Sequence, residues 1–177
     1  RLENETNIKT VGMDVDTIGL KTVSLMGGEI KTRNAKEIME IVKDYPFNFI
    51  VKGIMTTEEA RQAVNAGVDA IYVSNHGGRV LDHTPGVAEV LPKIREEVGK
   101  EITIIADGGI RSGVDVLKMI ALGADAVMMG RPVAIAAFSD LENGVFEYLK
   151  KIKEELASAM LLTGVKNISE INSNILY

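Results

Sequence analysis

The chain has 177 residues, 46% of them hydrophobic and 25% charged, with a formal net charge of −5, the balance of one ordinary globular domain. That charge argues against nonspecific binding to nucleic acid or an acidic membrane, and no apolar run approaches the ~18 residues of a membrane span. Cysteine is absent, which excludes disulfides and thiolate metal sites and fits the reducing, cytoplasmic location expected here.

The chain opens on Arg1 rather than Met, as a cut start would. Short apolar runs then alternate with amphipathic stretches. "KTVGMDVD" reads as a strand and "NAKEIMEIVKDY" as its helix. "FNFIVKG" is the next strand. "TTEEARQAVNAG" follows as a helix ending at Gly67, with Thr56 and Glu59 at capping-box spacing. "VDAIYVSNHGG" is a strand, and "GVAEVLPKIREEVG" a helix that stops at Gly99. "EITIIADGG" is a strand, and "SGVDVLKMIALG" a helix that Ser112 and Asp115 box at its start. "ADAVMMGRP" reads as a fifth strand. The last long helix is expected from about Gly144 to Leu162, with Val145, Leu149, Ile152, Leu156 and Ala159 on one apolar face.

Strands that alternate with helices imply a parallel sheet and an α/β fold. The unusual residues follow the strands: Asp14 and Asp16, Lys52, Ser74 to Arg79, Asp107 to Arg111, and Gly130 with Arg131. Such clustering is expected at the carboxyl ends of the strands in a (β/α)8 barrel, and equally in an open doubly wound sheet. No G-x-G-x-x-G opens a helix after the first strand, which weakens a dinucleotide reading. About five strands are legible, whereas a barrel needs eight. The expectation is a smaller α/β fold or a part of a barrel.

Four strand ends could carry chemistry. His76 ends a strand, Gly77 and Gly78 leave room for a flat ligand, and Arg79 offers a two-pronged donor for a carboxylate or phosphate. A neutral imidazole beside such a guanidinium suits proton abstraction from a hydroxy acid. Taken alone, the run also reads as a turn whose histidine bonds only to backbone. In "DGGIRSG", Asp107 ends a strand, Gly108 and Gly109 bare their amides, and Ser112 starts a helix. A phosphate is expected on those amides and that helix N-terminus, with Arg111 adding charge. "MGRP" repeats the theme with Gly130 and Arg131. Lys52 closes the apolar run "FIVKG", so its ammonium needs an anionic partner, a ligand or Asp107.

Together "IVKGIMTTEEA", "IYVSNHGGRVLD", "IIADGGIRSGVDVLKMIALGADAVMMGRP" and "LASAMLLTGVKNISEI" resemble the FMN-dependent 2-hydroxy-acid oxidases and dehydrogenases, the relatives of glycolate oxidase, lactate oxidase and flavin-type lactate dehydrogenase. The likeness covers most of residues 47–172. It implies a TIM (β/α)8 barrel, with residues 1–177 as the C-terminal part of one FMN-binding domain holding strands 4 to 8 and a C-terminal helix, the N-terminal half being absent. It implies oxidation of a small 2-hydroxy acid such as lactate or glycolate to the 2-oxo acid, with electrons passing through FMN to oxygen or another acceptor. In that scheme His76 is the base, Asp16 orients it and Arg79 binds the substrate carboxylate. Lys52 faces the flavin N1 and C2 oxygen, and Ser74 lies close to the ring. Asp107, Gly109, Arg111, Gly130 and Arg131 line the FMN phosphate and ribityl chain. A homo-oligomer is also expected.

Two departures stand out. Asp14 occupies the place of a family threonine near the flavin, where a carboxylate would repel an anionic reduced ring unless protonated or turned away. The arginine-rich stretch after the first strand here reads "TIGLKTVSL", with only Lys21, which leaves the usual substrates open. His83 has no role in the family pattern and is read as a loop residue. Two alternatives remain. One is another FMN- or phosphate-binding barrel, resembling type 2 isopentenyl-diphosphate isomerase or inosine-monophosphate dehydrogenase, although the Ser-Asn-His-Gly-Gly-Arg run sets those apart. The other is a catalytically incomplete barrel piece whose open sheet edges drive self-association.

Overall fold

The computed structural model describes residues 7–17, 25 and 32–176; Lys21 lies outside them. Five strands form one parallel sheet in sequence order, β1 (Thr10–Asp14), β2 (Asn48–Ile54), β3 (Ala70–Val73), β4 (Thr103–Ala106) and β5 (Ala126–Val127). The helices are α1 (Ala35–Asp44), α2 (Thr57–Ala66), α3 (Val87–Val98), α4 (Gly113–Ala121) and α5 (Arg131–Leu162). Parallel strands in unbroken order, joined by crossovers of one hand, place every helix on the same face of the sheet. This is the geometry of a partial (β/α)8 barrel.

Burial follows that geometry. Phe49, Val51, Ile71, Val73, Ile104 and Ala106 alternate along their strands and are all but fully buried. They meet Ala60, Ala63, Leu91, Ile94, Val98 and Val116 from the helices in one core. The other face is only half-buried and carries the polar row. Register aligns Asp14 with Lys52, Lys52 with Tyr72, and Tyr72 with Ile105. The sheet therefore brings Asp14 beside Lys52 although they are 38 residues apart.

Local signals set the helix ends. Thr56 and Glu59 form a reciprocal capping box, and Gly67 closes α2 in the left-handed conformation at φ 79°. Ser112 and Asp115 box α4 in the same way. The segment Gly-x-Asp-Ala occurs twice, at Gly67–Ala70 and Gly123–Ala126. Each aspartate exchanges two bonds with the neighbouring strand. The Asp69 N–H donates to the Phe49 carbonyl at 2.9 Å, and its Oδ2 accepts from the Phe49 N–H at 2.7 Å. Asp125 does the same with Ile104, both at 2.8 Å. Arg95 donates to the Gly123 carbonyl at 2.7 Å and also reaches the Gly99 carbonyl and Asp125.

The last helix differs from expectation. It begins at Arg131, directly after Gly130, with Pro132 in its first turn, and it bends at Asp140 and Leu141 before running on to Leu162. The stretch from Gly144 is its second limb. Proline is suited to a first helical turn because its missing N–H has no acceptor there, so the strand ends earlier than "ADAVMMGRP" implied. Ile152 and Ala159 are buried as expected, but Leu149 is 45% exposed. Tyr148 packs on the core instead. α4 and α5 meet at Gly113, where a Cβ would come within 2.1 Å of the Leu156 nitrogen. The Gly113 N–H donates to Glu155 Oε2 across that contact.

Candidate active site

The carboxyl ends of the strands open into a cavity of about 360 Å³, within the size range of small-molecule sites. Lys52, His76, Gly77, Arg79, Asp107, Gly109, Arg111, Gly130 and Arg131 all line it, with Met128 and Met129 as apolar wall. Four cationic side chains against one carboxylate make it a site for anions.

His76 is held in an unusual backbone. Its φ is +58°, the left-handed region that non-glycine residues seldom adopt. Three bonds keep the turn there. The His76 N–H donates to Ser74 Oγ at 3.1 Å, the Gly77 N–H donates to Asn75 Oδ1 at 3.1 Å, and Arg79 Nε donates to the His76 carbonyl at 3.1 Å. Strain held by surrounding bonds is typical of functional turns. Gly77 follows with φ +67°, a conformation suited to glycine, and a Cβ there would push aside the Arg131 guanidinium, whose nearest nitrogen lies 2.9 Å away.

The ring Nδ1 of His76 points into a charged cluster. Asp16 Oδ1 lies 3.0 Å from it, Lys52 Nζ 3.1 Å and Asp14 Oδ2 3.6 Å. Lys52 Nζ in turn donates to Asp14 Oδ2 at 2.9 Å. The anionic partner of Lys52 is thus Asp14, not Asp107, because strand register sets those two side by side. It also means that Asp14 is turned onto Lys52. Burial and the adjacent Asp14 push Asp16 above the usual carboxylate range, against the hydrogen bond from His76. Burial alone would raise Asp14 too, but hydrogen bonds with Asp16 and Lys52 hold it below that range.

Ser74 is completely buried and is not part of the cavity wall. Its hydroxyl donates to Asp107 Oδ2 at 2.9 Å, as does Tyr72 Oη at 3.1 Å. Burial, then the Asp107 charge, raises the Tyr72 phenol far above its ordinary value, so it remains a donor. Sequence reasoning missed Tyr72, whose position in an apolar strand gave no sign of its polar end. Asp107 Oδ1 is buried without a protein donor among the described residues.

The two helix starts behind the glycine loops are not alike. At α4 the N–H groups of Arg111 and Ser112 both donate to Asp115 Oδ2 at 3.0 Å, and Ser112 Oγ donates to the same oxygen. That start is closed by its own carboxylate, so the amides expected to take a phosphate at Ser112 are already used. At α5, Gly130 gives no side-chain cap, and nothing lies within 4 Å of where a Cβ would stand at Gly109 or Gly130. Bare amides, an uncapped helix start and Arg131 therefore converge on the α5 side. His83 stands off the cavity wall, its N–H bonded to Asp82.

The family model for FMN-dependent dehydrogenase matches residues 6–177. An L-lactate dehydrogenase of Pectobacterium atrosepticum is 51% identical over 127 residues, covering 72% of this chain and 33% of the relative. One from Yersinia pestis is 50% identical over the same length and coverage. A crystal structure of mandelate oxidase with a bound hydroxy acid superposes with a TM-score of 0.84 at 32% identity, over 96% of this chain and 55% of that one. Another mandelate oxidase structure, holding an FMN adduct, gives 0.83 at 32% identity, over 96% and 56%. The chain thus spans about a third of the length of the curated relatives. With this likeness extending over almost every residue, the chain belongs to the FMN-dependent dehydrogenase family, whose relatives oxidise 2-hydroxy acids.

Proposed function

We propose that this chain binds FMN and works in the oxidation of a small 2-hydroxy acid to its 2-oxo acid. The observation that carries the reading is the meeting of His76, Lys52 and Arg79 with Arg111 and Arg131 on one cavity wall. FMN needs a phosphate site, a polyol acceptor and a cation beside its ring. Gly109, Gly130, Arg111 and Arg131 suit the phosphate, and the unpartnered Asp107 Oδ1 suits a ribityl hydroxyl. Lys52 suits the negative pole of the ring. When bound, the flavin supplies the two-electron chemistry.

The chain's own residues do the rest. Arg79 grips the substrate carboxylate with its guanidinium fork. His76, fixed through Nδ1 by Asp16, takes the substrate's hydroxyl proton at Nε2. Asp16 then stabilises the imidazolium. Lactate and mandelate are the substrates that the relatives favour as first candidates.

Exposed apolar side chains on α5, among them Ile135 and Phe138, support a homo-oligomeric assembly. The first test is an absorption spectrum taken after FMN is added and excess removed by gel filtration. Retained flavin bands, bleached anaerobically by a 2-hydroxy acid, support the proposal. A protein that holds no FMN refutes it for this chain.

A further inference from the structure

Two carboxylates lie beside one histidine, and each has one oxygen in use. Asp16 Oδ1 meets His76 Nδ1 at 3.0 Å, and Asp14 Oδ2 meets Lys52 Nζ at 2.9 Å. The remaining oxygens, Asp16 Oδ2 and Asp14 Oδ1, are both buried without a partner among the described residues. Two buried lone-pair oxygens with no donor are costly, and two carboxylates in one low-dielectric site resist ionising together. A single proton between them removes both costs. Formal charge agrees, since the Lys52 cation balances one carboxylate and the proton neutralises the other.

We propose that Asp14 and Asp16 share one proton between these two oxygens, and that Asp14 thereby serves as a positioning residue for His76. The result is a continuous chain, which Lys52 Nζ, 3.1 Å from the same ring nitrogen, also flanks. His76 Nδ1–H donates to Asp16 Oδ1, the shared proton bridges Asp16 Oδ2 and Asp14 Oδ1, and Lys52 donates to Asp14 Oδ2. The opposite displacements of the two acids, Asp16 raised by burial and by Asp14 while Asp14 is lowered by Asp16 and Lys52 in spite of burial, accord with it.

The consequence for the proposed reaction, on which this part rests, is local. When Nε2 gains the substrate's proton, the shared proton moves toward Asp14. Negative charge then gathers on Asp16 opposite the new imidazolium, with no change in the number of protons held by the pair. The charged groups that bear on Asp16 are Asp14 on β1, Lys52 on β2 and His76 after β3. Arg79 and Arg131 stand at the cavity wall beyond the ring.

Infrared difference spectroscopy in deuterated buffer tests the shared proton without cofactor or substrate. At about pH 6, roughly two units above an ordinary aspartate, the protein should show a protonated carboxyl band that both Asp14→Asn and Asp16→Asn abolish. Asn is nearly isosteric and keeps a donor for the remaining acid. Absence of the band in the unsubstituted protein overturns the proposal, and that measurement stands even if a variant fails to fold. Loss of the band in only one variant means a single acid raised by burial, and also overturns it. In the FMN-loaded protein, Asp14→Asn leaves Asp16 ionised beside Nδ1, so the acid limb of the pH profile should move up by about one unit and return in Asp14→Glu. A carboxyl band without hydroxy-acid oxidation refutes the functional reading and leaves the pair intact. Oxidation without the band does the reverse.

Discussion

At the amino ends of the strands, Asp69 and Asp125 spend their carboxylates on the backbone of the preceding strand, and Arg95 ties the Gly99 and Gly123 carbonyls to Asp125. At the carboxyl ends, the same residue types are left with work to do. Asp14, Asp16 and Asp107 each keep a buried oxygen without a donor among the described residues, and Arg79, Arg111 and Arg131 face a cavity. The chemistry of the side chains is the same at both ends. What differs is how completely the protein itself satisfies them, and that separates scaffold from site.

Substitutions at the two ends should therefore split activity from stability. The largest effect is expected for His76→Asn, because asparagine tolerates the left-handed backbone but gives no base. In the FMN-loaded protein, kcat/KM should fall by about 10²–10⁴-fold, with the thermal midpoint little changed. Loss of fold in step with activity would break the comparison. Arg131→Ala should weaken FMN binding by roughly 10- to 100-fold, the worth of one charge-assisted contact. Fluorescence titration with FMN reads it, and an unchanged affinity would move the phosphate elsewhere.

The amino end should answer the other way. Asp125→Ala leaves the buried Ile104 N–H without its acceptor and should cost about 1–3 kcal/mol in chemical denaturation, with FMN affinity per folded molecule kept. The smallest effect belongs to Asp115, a carboxylate near the site that is spent as fully as those at the amino end. Burial would raise it, but the N–H groups of Arg111 and Ser112 and the Ser112 hydroxyl outweigh that and lower it. A lowered carboxyl stabilises the fold above its unfolded value and loses that contribution as pH falls through the folded one. Asp115→Asn should thus cost about 1 kcal/mol near neutrality, and the gap from the unsubstituted protein should close below about pH 4. A gap that does not depend on pH would mean that the charge of Asp115 is not what holds the start of α4.

What the sequence made legible was mostly what lies within four residues. The capping boxes at Thr56 and Ser112 are i, i+3 patterns, and the structure has both. Two strand ends were visible because His76 and Asp107 follow apolar runs, whereas Lys52, read as a strand end, lies within β2 two residues before its last. Pairing across strands was not visible. Nothing near Lys52 in the chain points to Asp14, because sheet register alone brings them together. The start of α5 did carry a signal, Gly130 followed by Arg131 and Pro132, but the apolar "AVMM" before it drew the strand too far. The closed start of α4 was also readable in principle. The box formed by Ser112 and Asp115 uses the very amides that a phosphate would need.

Strand order bears on how the molecule assembles. Each strand pairs with the next one in the chain, so the contacts between neighbours close modest loops: 38 residues for Asp14 with Lys52, 33 for Ser74 with Asp107, and 21 for Ile104 with Asp125. Such a sheet can grow by successive addition at low entropic cost. The bond between His76 and Asp16 spans 60 residues and skips a strand. It forms only after β1, β2 and β3 are docked together, so the imidazole reaches its working environment late, and its signal in a refolding experiment would time the completion of that half of the sheet.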